Sequence, residues 1–362
     1  MPTNDLDLTS ETVHQCGDQF SRTTLEDWIA KTPLGIGREI RIDFSNTRWF
    51  DIASLVFLLC ILSNWRSQGE AVTLRLPDSA KHRRARDFLC RWNFREGLRL
   101  ALDNEIANLL QTDQLSYFDG PLDSYTPTQV VDEYGDLAVL SSLQLLQITS
   151  LTDLQEDGNY RVSFSRIGQV TNRACARALY SALKTSIGAP HKWATQFGRV
   201  LIHQGLLNAF EHPEASVAFI AMARQGPHLV IGIADNGLTI PATIAEAYEQ
   251  SKEGHVAATK ELSGYQLDAN RIAYATFRGT SRKPLSIADP DRGMGLYYIK
   301  TLTAEVGGYL RIRASEASVK FSRSEGHGPI QSSPEPVKRL ERGNLLKIVL
   351  PLAKERGLAK SH

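Results

Sequence analysis

Between residues 37 and 94, apolar residues fall first on every second position and then on nearly every position. Ile40, Ile42 and Phe44 in REIRIDF share one face of a predicted strand. DIASLVFLLCILSNWRSQG reads as an almost wholly apolar helix ending near Gly69. Val72, Leu74 and Leu76 in AVTLRLP repeat the strand pattern, and DSAKHRRARDFLCRWNF carries a second helix behind an Asp78-Ser79 cap. Strand–helix–strand–helix with short connections implies a parallel strand pair joined by a right-handed crossover.

A different pattern begins near Val162. QVTNRACARALYSALKTSIG and KWATQFGRVLIHQGLLNAFEH have helical spacing, and ASVAFIAMARQGPHLVIGIADNG is two alternating strands meeting at Gln225-Gly226-Pro227, a hairpin signal. A polar, partly helical insert runs from Leu238 to Arg292. In RGMGLYYIKTLTAEVGG, Leu296, Ile299, Leu302, Thr303 and Val306 recur at helical spacing until Gly307-Gly308 stops them. GGYLRIRAS and NLLKIVLPL are the last two predicted strands. Residues 106–160, rich in Asp, Pro, Gly and Thr around QTDQLSYFDGPLDSYTPTQ, read as a connector. The expected organisation is a polar N-terminal segment (1–30), a first domain (31–105), the connector, a second domain (161–353) and a basic tail (354–362).

Composition narrows the classes. With 362 residues, 42% hydrophobic and 22% charged, the chain is ordinary for a globular protein of two domains. A net charge of +1 advertises neither nucleic acid nor anionic membrane. The densest basic run, KHRRAR at Lys81 to Arg86, reads as a solvated helix face. Cys16, Cys60, Cys90 and Cys175 lack metal-ligand or disulfide spacing. The acidic, polar N-terminus does not read as a signal peptide, and the longest apolar stretch, Ile52 to Leu62, is well short of the roughly 20 residues that span a bilayer. A cytoplasmic protein is the expectation.

Three constellations carry chemistry. On the helix HQGLLNAFEH, Gln204, Asn208, Glu211 and His212 gather on one arc of an otherwise apolar surface. Asn208 there offers a carbonyl oxygen suited to Mg²⁺, although such an arc can also simply face water. Asp235 ends a strand with the parity of Leu229, Ile231 and Ile233, where a carboxylate can accept a hydrogen bond from an exocyclic amine. Asn236-Gly237 after it would turn the backbone sharply. Gly279, Thr280, Ser281 and Arg282 then precede Arg292 and Gly293-Met294-Gly295-Leu296, a glycine-rich turn opening a helix and hence a ready anion site. It lacks the Gly-Lys-Ser/Thr ending of a Walker loop and the preceding strand and third glycine of a dinucleotide fingerprint.

In order and spacing, NAFEH, DNG, GTSRK, RGMGLYYIK and the closing LLKIVLPL resemble the boxes of the GHKL ATP-binding superfamily, which includes gyrase and the histidine kinases, over about residues 162–352. The likeness is greatest to its anti-sigma-factor kinase branch. It implies a two-layer α/β sandwich, with a mixed sheet, helices on one face and an ATP lid. It implies ATP and Mg²⁺ as cofactors. Asn208 would hold the metal, Asp235 the adenine amine, and Gly237 would give the base room. Gly293, Gly295 and Leu296 would face the phosphates, Gly279, Thr280 and Ser281 would belong to the lid, and His212 would lie near the phosphates.

One departure concerns catalysis. Where hydrolysing members carry a Glu one turn before the Asn, this chain has Gln204, which orients water but takes no proton. Glu211, on the same arc, is the other catalytic candidate. No His-Glu/Asp-x-x-x-Pro phosphoacceptor helix precedes the domain, which argues against a sensor kinase. The stretch IRIDFSNTRWFDIASLVFLLCILSNWRSQGEAVTLRLP resembles a STAS domain, a βαβα anti-sigma-antagonist fold. Asp51 is kept there, but Ile52 and Ala53 fill the usual serine positions and Ser54 falls at the glycine. The resemblances imply a Mg-ATP-binding regulatory protein whose lid controls a protein partner, with slow or no hydrolysis. The rivals are a serine/threonine kinase of the anti-sigma type and a non-catalytic scaffold. A homodimer is compatible; nucleic acid and membrane are not expected.

Overall fold

The structure, a computed structural model, describes residues 11–32, 39–77, 81–91, 94–101, 215, 217–250, 262–278, 280, 294–324 and 328–352, with 193, 196, 197 and 200 besides. It is a mixed α/β protein. Its first part runs β1 (Glu11–Gln15), β2 (Gln19–Phe20), α1 (Arg22–Lys31), β3 (Glu39–Asp43), β4 (Trp49–Phe50), α2 (Ile52–Ser67), β5 (Ala71–Arg75), α3 (Arg83–Arg91) and α4 (Phe94–Ala101). Strands β1, β3 and β5 form a parallel sheet in that order, and β2 pairs with β4. Thus the stretch expected to be a polar N-terminal segment supplies, from Glu11 on, two strands and a helix of this unit. Its apolar residues are too sparse for a period to stand out, yet Leu25, Trp28 and Ile29 lie at i, i+3 and i+4 and are buried.

The second part runs β6 (Ala218–Gln225), β7 (His228–Leu238), α5 (Ile240–Gln250), α6 (Gly264–Ala275), α7 (Gly295–Glu305), β8 (Tyr309–Ala314), β9 (Ala317–Arg323), β10 (Ile330–Pro336) and β11 (Arg342–Pro351). The six strands form one sheet, ordered β10-β9-β8-β11-β7-β6. The hairpin at Gly226-Pro227 and the helix stop at Gly307-Gly308 are where the pattern put them. Two expectations change. The sheet is not mixed, since every described pairing in it is antiparallel. Two further strands, β9 and β10, lie between the predicted last two. A two-residue turn at Ser315-Glu316 brings β9 straight back along β8, and such a tight connection permits only antiparallel pairing.

Nor are the helices confined to one face. Leu229, Ile231 and Ile233 of β7 and Leu346, Ile348 and Leu350 of β11 face a core shared with Ile240, Ile244, Ile272, Ile299 and Leu302 of α5, α6 and α7. The alternate residues Val230, Ala234, Leu345 and Val349 face a second core, built from the N-terminal unit. Helix α2 lies at its centre, between the large sheet and the parallel one, with thirteen of its sixteen residues buried. A helix covered on both sides has no polar face to keep, which is why its sequence shows almost no amphipathicity. The approach to β7 is so close that a Cβ on Gly232 would stand 2.8 Å from the Ala53 Cα. Residues beyond glycine have no room there.

Polar contacts tie the same faces together. Asp51 caps α2, accepting from the Ser54 N–H at 3.1 Å and the Ser54 hydroxyl at 2.5 Å, and its other oxygen accepts from Lys347 of β11 at 2.7 Å. Arg313 of β8 makes a two-pronged pair with Glu26 of α1, at 2.8 and 3.0 Å. Gln225 donates to the Phe50 carbonyl at 2.7 Å, and Arg22 pairs with Glu335. Among the described residues no helix is long and apolar enough to cross a membrane. Cys16 and Cys60 are free, and burial pushes both thiols up from their ordinary range.

Candidate functional site

Asp235 lies near the end of β7, the strand flanked by β6 and β11, and is 3% exposed. Its parity with Ile231 and Ile233 puts it on the face that carries α5, α6 and α7. The backbone there does not turn after Asp235, as Asn236-Gly237 had suggested. Strand β7 continues through Leu238, because β11 continues to pair with it: Asn344 stands opposite Asp235 and Arg342 opposite Leu238. The Asn236 side chain is spent on the other face. Its oxygen accepts from the Val217 N–H at 3.0 Å and its amide donates to Ser63 of α2 at 3.3 Å. Gly237, also buried, donates its N–H to Asp235 Oδ1 at 3.0 Å.

The same Oδ1 accepts a second hydrogen bond, from Asn344 Nδ2 at 3.0 Å. Asn344 is fully buried and engages in three directions. Its amide also donates to the Leu238 carbonyl at 2.9 Å, and its oxygen accepts from the Ile240 N–H, at the start of α5, at 2.8 Å. A bulge between Arg342 and Asn344 sets this up, with Gly343 at φ +99°, a value that favours glycine. Sequence reasoning passed over Asn344. The signal was a lone polar residue heading the apolar run LLKIVLPL, but its partner lies 109 positions away.

On the same face, α7 begins at Gly295 with Met294 in the capping position and no side chain capping the first turn. Tyr298 N–H bonds the Met294 carbonyl at 2.9 Å, so the helix proper starts there, and Gly295 and Leu296 lie in the turn whose N–H groups have no helical partner. Gly295 is buried and Leu296 partly so. The Thr280 hydroxyl donates to the Tyr274 carbonyl at 3.1 Å, just beyond the end of α6. Close by, Lys300 of α7 donates to the Thr276 hydroxyl at 3.0 Å and lies over the Phe277 and Phe321 rings. Burial pushes its ammonium down from the usual lysine range. It fastens the end of α6 to α7.

Gln204, Asn208, Glu211, His212, Gly279, Ser281 and Gly293 lie outside the described residues, as do the connector and the helices predicted between 167 and 213, apart from a few helical positions near 193–200. Among the described residues no group of three His, Cys, Asp or Glu side chains could hold a metal ion. The turn at Asp51 is closed to modification, since Ser54 is 1% exposed and bonded twice to Asp51. What the described part of the site offers is a fixed, buried carboxylate and an uncapped helix start on one face of a sheet. No protein-family model matches the chain, and no curated protein matches it.

Proposed function

We propose that the protein binds Mg-ATP in a GHKL-like pocket on the helix-bearing face of its six-stranded sheet, and that nucleotide occupancy controls a protein–protein interaction. The observation that carries this reading is Asp235: a buried carboxylate three residues before the end of β7, fixed by Gly237 and Asn344 so that it can receive an exocyclic amine. The uncapped first turn of α7, at Gly295 and Leu296, suits the phosphates, because backbone N–H groups and the helix dipole both favour an anion. The donor set fits a nucleotide whose metal Asn208 would hold. With Gln204 where a base would stand, hydrolysis is slow or absent.

The N-terminal unit is STAS-like in this reading and acts as a docking module. Its buried Ser54 argues against phosphorylation in cis, so a kinase reading requires an acceptor on another protein. Titration calorimetry with ATP and Mg²⁺ tests the proposal. Binding by the native chain that disappears in Asp235→Ala, with the fold retained by circular dichroism, is the expected result. Absence of binding by the native chain overturns it and leaves the scaffold reading. Transfer of labelled phosphate to a co-purified protein would select the kinase.

A further inference from the structure

The geometry points to Asn344 as a positioning residue that fixes the Asp235 carboxylate for base recognition and ties it to the start of α5. This rests on the nucleotide reading above. Asn344 touches no reacting atom; it acts through its neighbour. A primary amide has two N–H donors, and both have acceptors here, Asp235 Oδ1 and the Leu238 carbonyl. Its oxygen takes the Ile240 N–H, which is otherwise an orphan donor at a helix start. The assignment of nitrogen and oxygen follows from these partners, since the reverse orientation would set an oxygen against a carboxylate and a carbonyl.

The consequence is directional. A carboxylate that turns about its Cβ–Cγ bond sweeps its oxygens around an arc, and a base edge is read only when one oxygen stands at hydrogen-bond distance in the plane of the ring. Two donors on Oδ1, from Gly237 and Asn344, hold that oxygen and so fix the orientation of the whole group. The third bond carries the same constraint into α5, so base recognition and the placement of that helix depend on one side chain. A serine or threonine could not do this, having one donor and less reach.

The test uses the whole chain, with ADP and Mg²⁺ as probe, in calorimetric titrations at pH 8.5 and pH 6. Asn344→Asp sets two carboxylates against each other. Two acceptors then face each other with no donor between them, and affinity is expected to fall at least tenfold at both pH values. The native chain is titrated in parallel. Asn344→Leu, close in volume and unable to bond, loses affinity at both pH values.

An Asn344→Asp protein whose affinity is the same as native at both pH values overturns the proposal while leaving the nucleotide reading intact. A native chain that does not bind ADP overturns both. Should Asn344→Leu fail to fold, the native protein decides by nuclear magnetic resonance: the Asn344 side-chain amide protons are expected to exchange slowly and to shift when ADP is added. Fast exchange, or no shift on binding, overturns the proposal.

Discussion

The pair between Glu26 on α1 and Arg313 on β8 joins the two halves of the chain through charge, and it allows a quantitative test. Arg313 is 1% exposed, and four of its five N–H groups are engaged: two by Glu26, one by the Lys338 carbonyl at 2.6 Å and one by the Ser315 carbonyl at 3.3 Å. Its guanidinium also stands 5.3 Å from the centre of the Phe57 ring of α2. Glu26→Gln keeps the shape, removes the charge, and turns an NH₂ towards donors. Breaking a buried pair by removing one partner costs roughly 3–5 kcal/mol, because the remaining charge is left in a medium that solvates it poorly. The Glu26 side chain is 13% exposed, so some water can reach the gap, and the lower end, about 3 kcal/mol, is the expectation. The double variant Glu26→Leu, Arg313→Met removes both charges and should lie within about 1 kcal/mol of the native protein, since apolar replacements of buried pairs are often neutral. Urea unfolding followed by the fluorescence of the buried Trp28 and Trp65 measures the native protein, Glu26→Leu, Arg313→Met and their double variant, the four corners of the cycle, with Glu26→Gln beside them. A coupling energy below about 0.5 kcal/mol would refute the reasoning, for it would place the pair among surface ion pairs of negligible worth.

Other expectations follow from the same contacts. Gly232→Val forces a side chain against the Ala53 backbone; overpacking of this kind costs roughly 1–3 kcal/mol, and more where backbone must move, as a shift in the urea midpoint would show. Asp51→Ala loses the cap of α2 and strands Lys347, for about 2–3 kcal/mol, whereas Lys347→Met leaves the cap standing and should cost about 1 kcal/mol; equal losses in the two variants would count against a capping role. His14 stacks against Trp28 and Trp65 and holds the Thr32 hydroxyl at 2.7 Å, and since that hydroxyl spends its hydrogen on the Trp28 carbonyl, the ring donates from Nε2. Burial, aided by Lys31, lowers its pKa to about 4 from 6.5. The unfolded chain therefore binds the extra proton between those values, so stability is full above pH 6.5 and falls by about 3 kcal/mol as pH drops through this window. In His14→Phe that part of the slope should vanish from the stability–pH curve, and an unchanged curve would assign the loss to other groups.

Much of this molecule is written locally. The alternation in REIRIDF and AVTLRLP, the hairpin at Gly226-Pro227, and the helix from Gly295 that ends before Gly307 each depend on neighbours a few residues away, and each stands where the pattern put it. Asp235 was also legible, as a carboxylate of known parity at the end of an apolar strand. The strands β9 and β10 were not predicted, although ASVKFSR alternates Ala317, Val319 and Phe321 into the core; IQSSPEP is polar, and β10 is held as an edge strand by its pairing with β9 rather than by any apolar face of its own.

By itself, then, the sequence determined the strongly periodic elements, the parity of their side chains and the apolar character of α2 on every side. Only the tertiary structure decided what that character is for: α2 fills the space between two sheets, with Gly232 admitting its backbone and Asp51 meeting Lys347. It likewise decided that Asn344 meets Asp235 and that Arg313 meets Glu26. Periodicity records whether a residue is buried, since burial repeats with the helix or the strand. It does not record against what, because partners across a sheet or between units are chosen by the folding of the whole chain.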